Sequence, residues 1–94
     1  MAFYVYIMTN RRNGVLYTGM TDDIAGRAWM HRTHAVRGFT DRYNCERLVW
    51  YEIHESRESA FTRERRIKEW KRAWKIELIE NMNPDWRNLA SELN

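Results

Sequence analysis

Residues 3–8 (Phe-Tyr-Val-Tyr-Ile-Met) and 15–20 (Val-Leu-Tyr-Thr-Gly-Met) are dense in aromatic and β-branched side chains. The segment between them, Thr9 to Gly14, has turn-forming composition. Side chains of the first kind suit a pleated, half-buried strand, and Asn and Gly suit tight turns. The first twenty residues therefore read as a β-hairpin. A four-residue loop, Asn10 to Asn13, sets Tyr6 directly opposite Tyr17. A two-residue Asn13-Gly14 loop changes the partner but keeps both tyrosines on one face. Only an odd-length loop separates them, because side chains alternate with period two.

What the hairpin packs against is bounded by the length of 94 residues, which suits one domain, 1–94, with no repeat or linker. The single cysteine, Cys45, excludes an intramolecular disulfide and cannot alone build a structural zinc site. The core must hold by packing, to which five Trp, five Tyr and three Phe contribute. The longest apolar run, Met1 to Met8, is far short of the roughly 20 residues a membrane span needs. It also lacks the flanks of a signal peptide. These features describe a reduced, cytoplasmic chain with no membrane partner.

Downstream, Thr21-Asp22-Asp23 offers caps for a helix running to about Ala35. Its stripe is Ile24, Arg27, Ala28, His31 and Ala35, so Arg27 and His31 flank the apolar side. Residues 38–45 read as a loop and Arg47 to Ile53 as a third strand. A second helix starts near Glu58, with Ser56 or Arg57 at its cap, and runs into the mid-seventies. A further helical stretch over Ala73–Asn81 is either continuous with it or bent. Asn83-Pro84 has the form of a helix start, predicting a short C-terminal helix that holds Trp86 and Leu89. The fold class is α/β (α+β).

Net charge is only +3, but thirteen of the sixteen cations are Arg, whose planar fork suits phosphate oxygens. Arg57 to Lys75 holds eight cations against three anions, a local net of +5, interleaved with Trp70 and Trp74. This is a nucleic-acid surface or, equally, a solvated helix face. The second helix's apolar stripe runs Ala60/Phe61, position 64, Ile67, Trp70/Lys71 and Trp74, and position 64 is Glu. A carboxylate within a buried stripe must be paired or bind a cation. An ion pair with a nearby Arg and a metal or catalytic role both satisfy that need. His31 and His34 lack further Cys or His partners for zinc.

In order, Tyr4-Val5-Tyr6, Tyr17-Thr18-Gly19, Arg27 and His31 resemble the GIY-YIG endonuclease domain. The resemblance continues through Gly38-Phe39-Thr40, Leu48-Val49-Trp50-Tyr51-Glu52 and Arg63-Glu64-Arg65-Arg66-Ile67-Lys68-Glu69-Trp70. It ends at Leu78-Ile79-Glu80 and Asn83-Pro84-Asp85-Trp86, covering essentially the whole chain. The chain is similar to the small stand-alone bacterial members of that superfamily. The resemblance implies a three-stranded antiparallel sheet flanked by helices, and metal-dependent cleavage of DNA. It implies Tyr6 as general base, Tyr17 as its assistant, Arg27 as phosphate clamp, His31 as hydrogen-bonding support and Glu64 as metal ligand. Asn83 falls near a late family asparagine, and its helix-cap reading stands beside that one. The cofactor implied is one Mg²⁺ or Mn²⁺ per site. DNA contacts are expected from Arg63, Arg66, Lys68, Lys71 and Arg72. Two departures stand out: Tyr4 replaces the glycine of the first motif, and Thr18 the isoleucine of the second. Asp41 stands in the loop after Gly38, where a basic residue would suit DNA better.

The chemistry fits these residue types. Hydrolysis of a phosphodiester needs a deprotonated water and stabilisation of charge on the phosphoryl oxygens. A free tyrosine has a pKa near 10, and an adjacent Mg²⁺ and Arg27 are expected to lower it. A single carboxylate holds Mg²⁺ weakly, so that the ion keeps waters and gains ligands from substrate. The alternative is a nucleic-acid-binding module that retains the nuclease fold without cutting. An interaction domain whose basic helix meets an acidic protein is a third reading. A homodimer or a protein partner would supply substrate selection and double-strand cleavage.

Overall fold

β1 (Phe3–Thr9) is the middle strand of a three-stranded antiparallel sheet, with β2 (Leu16–Thr21) on one side and β3 (Arg47–His54) on the other. The structure, a computed structural model, describes residues 2–35 and 38–93; Met1, the first residue of the apolar run, lies outside the described residues. The fold class is the α+β sheet-and-helix arrangement read from the sequence. The hairpin register differs in detail. Tyr6 faces Gly19, and Tyr17 faces Met8, so the two tyrosines are diagonal neighbours. The turn spans six residues, 10–15, because it is built from side chains as well as backbone. Asn10 Oδ1 accepts from Val15 N at 2.9 Å, and Thr9 Oγ1 donates to the Arg11 carbonyl at 2.8 Å. Asn13 takes the left-handed conformation at φ 57°. Six is even, so both tyrosines stay on one face.

Being central, β1 buries both of its faces. Val5 and Ile7 join Val49, Trp50, Ala60, Ile67, Ile79 and Trp86 beneath α3 (Arg57–Glu69) and α4 (Arg72–Met82). Tyr6 and Met8 join Cys45, Leu48, Ile24, Ala28 and Leu89 beneath α1 (Ile24–Arg32) and a 3₁₀ turn, Leu89–Glu92. In α1 the steps Ile24, Ala28 and His31 are buried, while Arg27 lies half-buried at their flank. Asp23 caps that helix by accepting from Gly26 N at 3.0 Å. Burial pushes the Cys45 thiol up to about 11, so it is an inert core residue. Among the described residues, no helix is long and apolar enough to cross a membrane.

The segment 38–45 contains a one-turn helix, α2 (Phe39–Arg42), where a loop was expected. Arg42 N closes that turn on the Gly38 carbonyl at 2.9 Å. The segment is clasped by His34, which donates to Asp41 Oδ1 at 2.7 Å and also to Glu46. Those two hydrogen bonds raise the His34 pKa, Glu46 contributing most. Asp41 is thus engaged within its own loop.

The long basic helix is broken. α3 ends at Glu69, Trp70 and Lys71 are extended with ψ 153° and 148°, and α4 begins at Arg72. α3 is capped by Ser56, which accepts from Ser59 N at 3.1 Å, whereas α4 has no side-chain cap and no acidic residue in its first turn. The break turns Trp74 outward, and Phe61 is likewise exposed, contrary to the stripe read from the sequence. Cations cover these rings: Arg65 over Phe61 at 5.4 Å, Lys71 over Trp74 at 5.7 Å and Arg63 over Trp70 at 5.3 Å.

No helix starts at Pro84. Asn83 instead closes the C-terminus of α4, its N–H on the Ile79 carbonyl at 2.7 Å. Its side chain is fully buried and serves β3. There Ile7 pairs with Trp50 and Met8 with Leu48, so Val49 is the extra residue of a β-bulge. Asn83 Nδ2 donates to that Val49 carbonyl at 3.1 Å and to the Arg87 carbonyl at 2.8 Å, and Oδ1 accepts from Arg87 N at 3.1 Å. With the amide so occupied, the chain turns through Trp86 at φ 55° rather than winding a helix. Replacing Asn83 by Ala leaves the Arg87 N–H and two carbonyls without this partner. The expected loss is about 2–4 kcal/mol of unfolding free energy, read by urea denaturation.

Candidate active site

Tyr6 is 2% exposed, and its ring lies across β2 at Gly19. A Cβ on Gly19 would stand 2.6 Å from the Tyr6 hydroxyl oxygen and 3.0 Å from the Tyr17 ring. The missing side chain is therefore the seat of both phenols. From α1, His31 Nε2 reaches the Tyr6 hydroxyl at 3.1 Å. The three rings form a triangle, with centroids 6.3 Å apart for Tyr6–Tyr17, 5.7 Å for Tyr6–His31 and 5.6 Å for Tyr17–His31. Arg27 sits one turn before His31 on the same helix, within electrostatic reach of both His31 and Tyr6.

Glu64 comes from α3, between buried Ala60 and Ile67, with its side chain only 13% exposed. Its cation is Lys68, one turn on, with Nζ 3.2 Å from Oε2, rather than an arginine. Glu64 is close enough to Tyr6 to raise its pKa. α3 is itself fixed by a chain from β3. Arg63 donates to Glu52 through Nε at 3.0 Å and Nη2 at 3.3 Å. His54 Nε2 donates to Glu52 at 2.7 Å, and the Ser59 hydroxyl meets His54 Nδ1 at 2.6 Å. Glu52, His54 and Ser59 hold α3 to β3 and have no assigned role in the sequence reading. The available signal was an acid inside the apolar strand Leu48–Ile53.

At Tyr6, Arg27 acts in the direction expected from the sequence, and burial acts against it. Burial raises its pKa well above the ordinary value, Tyr17 adds to this, and Glu64 raises it further; Arg27 opposes but does not win. Tyr6 is a protonated phenol at rest. The His31 pKa is lowered by burial and then by Arg27, so its imidazole is neutral near pH 7. A neutral Nε2 acceptor facing a phenol O–H is the arrangement these shifts favour.

The five basic residues expected on DNA have different immediate neighbours. Arg63 and Arg66 line a cavity with His54, Glu58, Ser59 and Thr62. Lys68 lines a recess with Tyr17. Lys71 covers Trp74, and Arg72 Nη2 donates to the Asn13 and Gly14 carbonyls at 2.7 and 2.5 Å. Asn83 hydrogen-bonds backbone groups of β3 and residue 87, and none of those partners belongs to the tyrosine cluster. Among the described residues, no group of three or more His, Cys, Asp or Glu is placed to enclose a metal. Glu64 offers one hard carboxylate with a cation already beside it, which fits a weakly held Mg²⁺ or Mn²⁺ that keeps its waters.

Two tyrosines on a hairpin, an Arg/His helix above them and a lone inward glutamate from a second helix are thus brought together in one cluster. The chain belongs to the GIY-YIG family: residues 2–77 match the GIY-YIG catalytic domain. It is 31% identical over 91 residues to the UPF0213 protein CPE1444 of Clostridium perfringens (strain 13 / Type A), covering 97% of each chain. It is 34% identical over 77 residues to the UPF0213 protein SH2523 of Staphylococcus haemolyticus, covering 82% of this chain and 93% of that one. Its structure is similar to the solution NMR structure of the UPF0213 protein BH0048 from Bacillus halodurans, with a TM-score of 0.58 and 29% identity, covering 100% of this chain and 98% of that one. The two motif departures are absorbed by packing. Tyr4 meets Tyr51 edge-on at 6.4 Å, and Thr18 is buried opposite Ile7.

Gly19→Ala tests the seat. The added methyl must displace a rigid phenol, so an overpacking cost of about 1–3 kcal/mol is expected in denaturation. The Tyr6–His31 hydrogen bond should be lost with it. Histidine-ring NMR would report that loss as a changed His31 titration.

Proposed function

We propose that the chain is a divalent-metal-dependent DNA endonuclease that hydrolyses phosphodiester bonds. The observation that carries this reading is the Tyr6–His31 hydrogen bond held beside Arg27 and Glu64. GIY-YIG nucleases generally use a divalent metal, and Glu64 would hold it here, displacing Lys68. When bound, the ion supplies positive charge for the phosphate oxygens and lowers the pKa of bound water. A water beside Tyr6 gives its proton to the phenol oxygen as the phenol proton passes to His31 Nε2. The hydroxide attacks phosphorus, and the bond to the leaving oxygen breaks with its electron pair on that oxygen. That oxygen takes a proton from solvent water, and His31 returns its own proton to solvent. Tyr6 thus acts as base without existing as a free phenolate, which its buried position disfavours. Arg27 offsets charge on the phosphoryl oxygens, Tyr17 orients Tyr6 and the water, and Asn83 holds the frame. One such site in one domain cuts one strand per encounter, and two copies or a partner would be needed for a double-strand break. A reducing cytoplasm suits the lone buried thiol.

Incubating labelled duplex, branched and single-stranded DNA with Mg²⁺ or Mn²⁺ tests the proposal. Cleavage should vanish with EDTA. Tyr6→Phe and Glu64→Gln should each lose at least about 100-fold in rate. If the wild type cuts nothing, or both variants cut normally, the nuclease reading fails. Binding without cutting would assign the chain to the alternative, a nucleic-acid-binding module on the nuclease fold.

The pH profile tests the proton path. His31 must be neutral to accept, and its pKa is depressed, so the acid limb should lie below the ordinary histidine value of 6.5. Stability shares the sign: it is fully present above that value and falls as pH drops towards the lowered folded pKa. His31→Asn should cut the rate and remove that limb from a plot of log kcat/KM against pH.

A further inference from the structure

Two recesses open in sequence from the tyrosine cluster. One, of about 220 Å³, is lined by Leu16, Tyr17, Thr18, Lys68 and Lys75. The next, of about 420 Å³, is lined by Val15, Leu16, Trp70, Arg72 and Lys75. Leu16 and Lys75 belong to both, so the two recesses adjoin and together make a stepped groove from Tyr17 to Trp70. Its lining contains three cations and no carboxylate. The recesses beside Trp74, His54 and Asn44 differ, since each carries a glutamate: Glu77, Glu58 and Glu46.

The cations have different duties. Arg72 is fixed by the Asn13 and Gly14 carbonyls and forms the wall. Lys68 stands at the boundary with the candidate metal ligand, its ammonium on Glu64. Lys75 is half-buried, and its Nζ donates to the Lys68 carbonyl at 3.5 Å. Burial, Arg72 and Lys68 all press its pKa down, as befits a cation held among cations. An anion between Lys68 and Lys75 would relieve that repulsion. At the far end stands the half-buried indole of Trp70, which carries Arg63 at 5.3 Å and meets Trp74 edge-on at 6.1 Å. A base stacking on it would take the place of the Arg63 guanidinium. Bases paired within a duplex are stacked on one another and present only their edges, so an indole at the end of a groove suits an unpaired nucleotide.

We propose that this groove binds an unpaired DNA strand flanking the scissile phosphate, with a backbone phosphate on Lys68 and Lys75 and a base against Trp70. The word scissile rests on the nuclease reading above; the groove's affinity for an unpaired strand does not. On this assignment the preferred substrate carries a single-stranded segment next to the cut, as in an overhang, flap or gap. Lys68 connects the two sites: were Glu64 to hold a metal ion, the Lys68 ammonium would be free for the strand.

The test is fluorescence anisotropy in EDTA, with a labelled duplex and the same duplex bearing a single-stranded overhang. The wild type should bind the overhang DNA more tightly. Lys75→Gln should weaken that binding about tenfold, the effect of losing one charged hydrogen bond. It should also flatten the slope of log affinity against log salt by about 0.7–0.9. Lys75→Arg should retain both, and Trp70→Leu should erase the preference for the overhang. Melting curves confirm that each variant is folded, and Lys75→Gln on its own suffices if Trp70→Leu is not. Unchanged affinity and slope in Lys75→Gln, or equal wild-type binding of the two DNAs, overturns the proposal. Since no metal is present, Lys75-dependent overhang binding by a protein that cuts nothing would sink the nuclease reading alone. Normal cleavage with Lys75-independent binding would sink the groove alone.

Discussion

Where Tyr6 crosses Gly19, an aromatic ring occupies the volume of a side chain that is not there, and the arrangement of the site follows from that substitution of one residue's space by another's. Any larger residue at position 19 would push the hydroxyl out of reach of His31. The neighbouring strand then supplies Tyr17 on the same face, and the helix packed on that face supplies His31 and Arg27 one turn apart. The opposite face of the sheet is held by α3, which brings Glu64 back towards the same phenol. Four elements thus converge on one hydroxyl because a glycine in the edge strand lets it lie there.

The electrostatics form a consistent set around that hydroxyl. Burial keeps Tyr6 protonated and His31 neutral, so the pair sits at rest with one proton between them. Among the described residues, Glu64 is the carboxylate that acts on Tyr6, and it already holds a cation in Lys68. A divalent ion held by Glu64 in place of that ammonium would add positive charge near the buried phenol and so ease loss of its proton. The Glu52–Arg63 and Glu52–His54–Ser59 contacts hold α3 at its N-terminal half, so Glu64 is carried on an anchored helix.

Much of this was legible in the residues. Alternation on Phe3–Met8 and Val15–Met20 gave the hairpin and put both tyrosines on one side, whatever the even loop length. The stripe through Ile24 and Ala28 put Arg27 and His31 at its flank, of which the structure buries His31, and the break in the apolar stripe at Glu64 singled out an anion needing a cation. The exact register was hidden because Asn10 and Thr9 build a six-residue turn from their side chains, which composition does not reveal. Asn83 misled because the same residue that caps a helix start also plugs a bulge. Its true partner, the Val49 carbonyl, is 34 positions away. The depth at which the Tyr6 ring is buried was out of reach too, being a property of packing rather than of local sequence.

Arg72 ties the tip of the hairpin to the elbow between α3 and α4 through two backbone carbonyls. The acceptors are backbone, but the turn that presents them is particular about its residues: Asn13 is left-handed at φ 57°, and a Cβ on Gly14 would clash with Asn10 Oδ1. Its length is fixed as well, because one inserted residue would carry both carbonyls away from the guanidinium. The hairpin tip is therefore a gauge block in this architecture, its spelling set by its own turn and its size by a helix on the far side of the sheet.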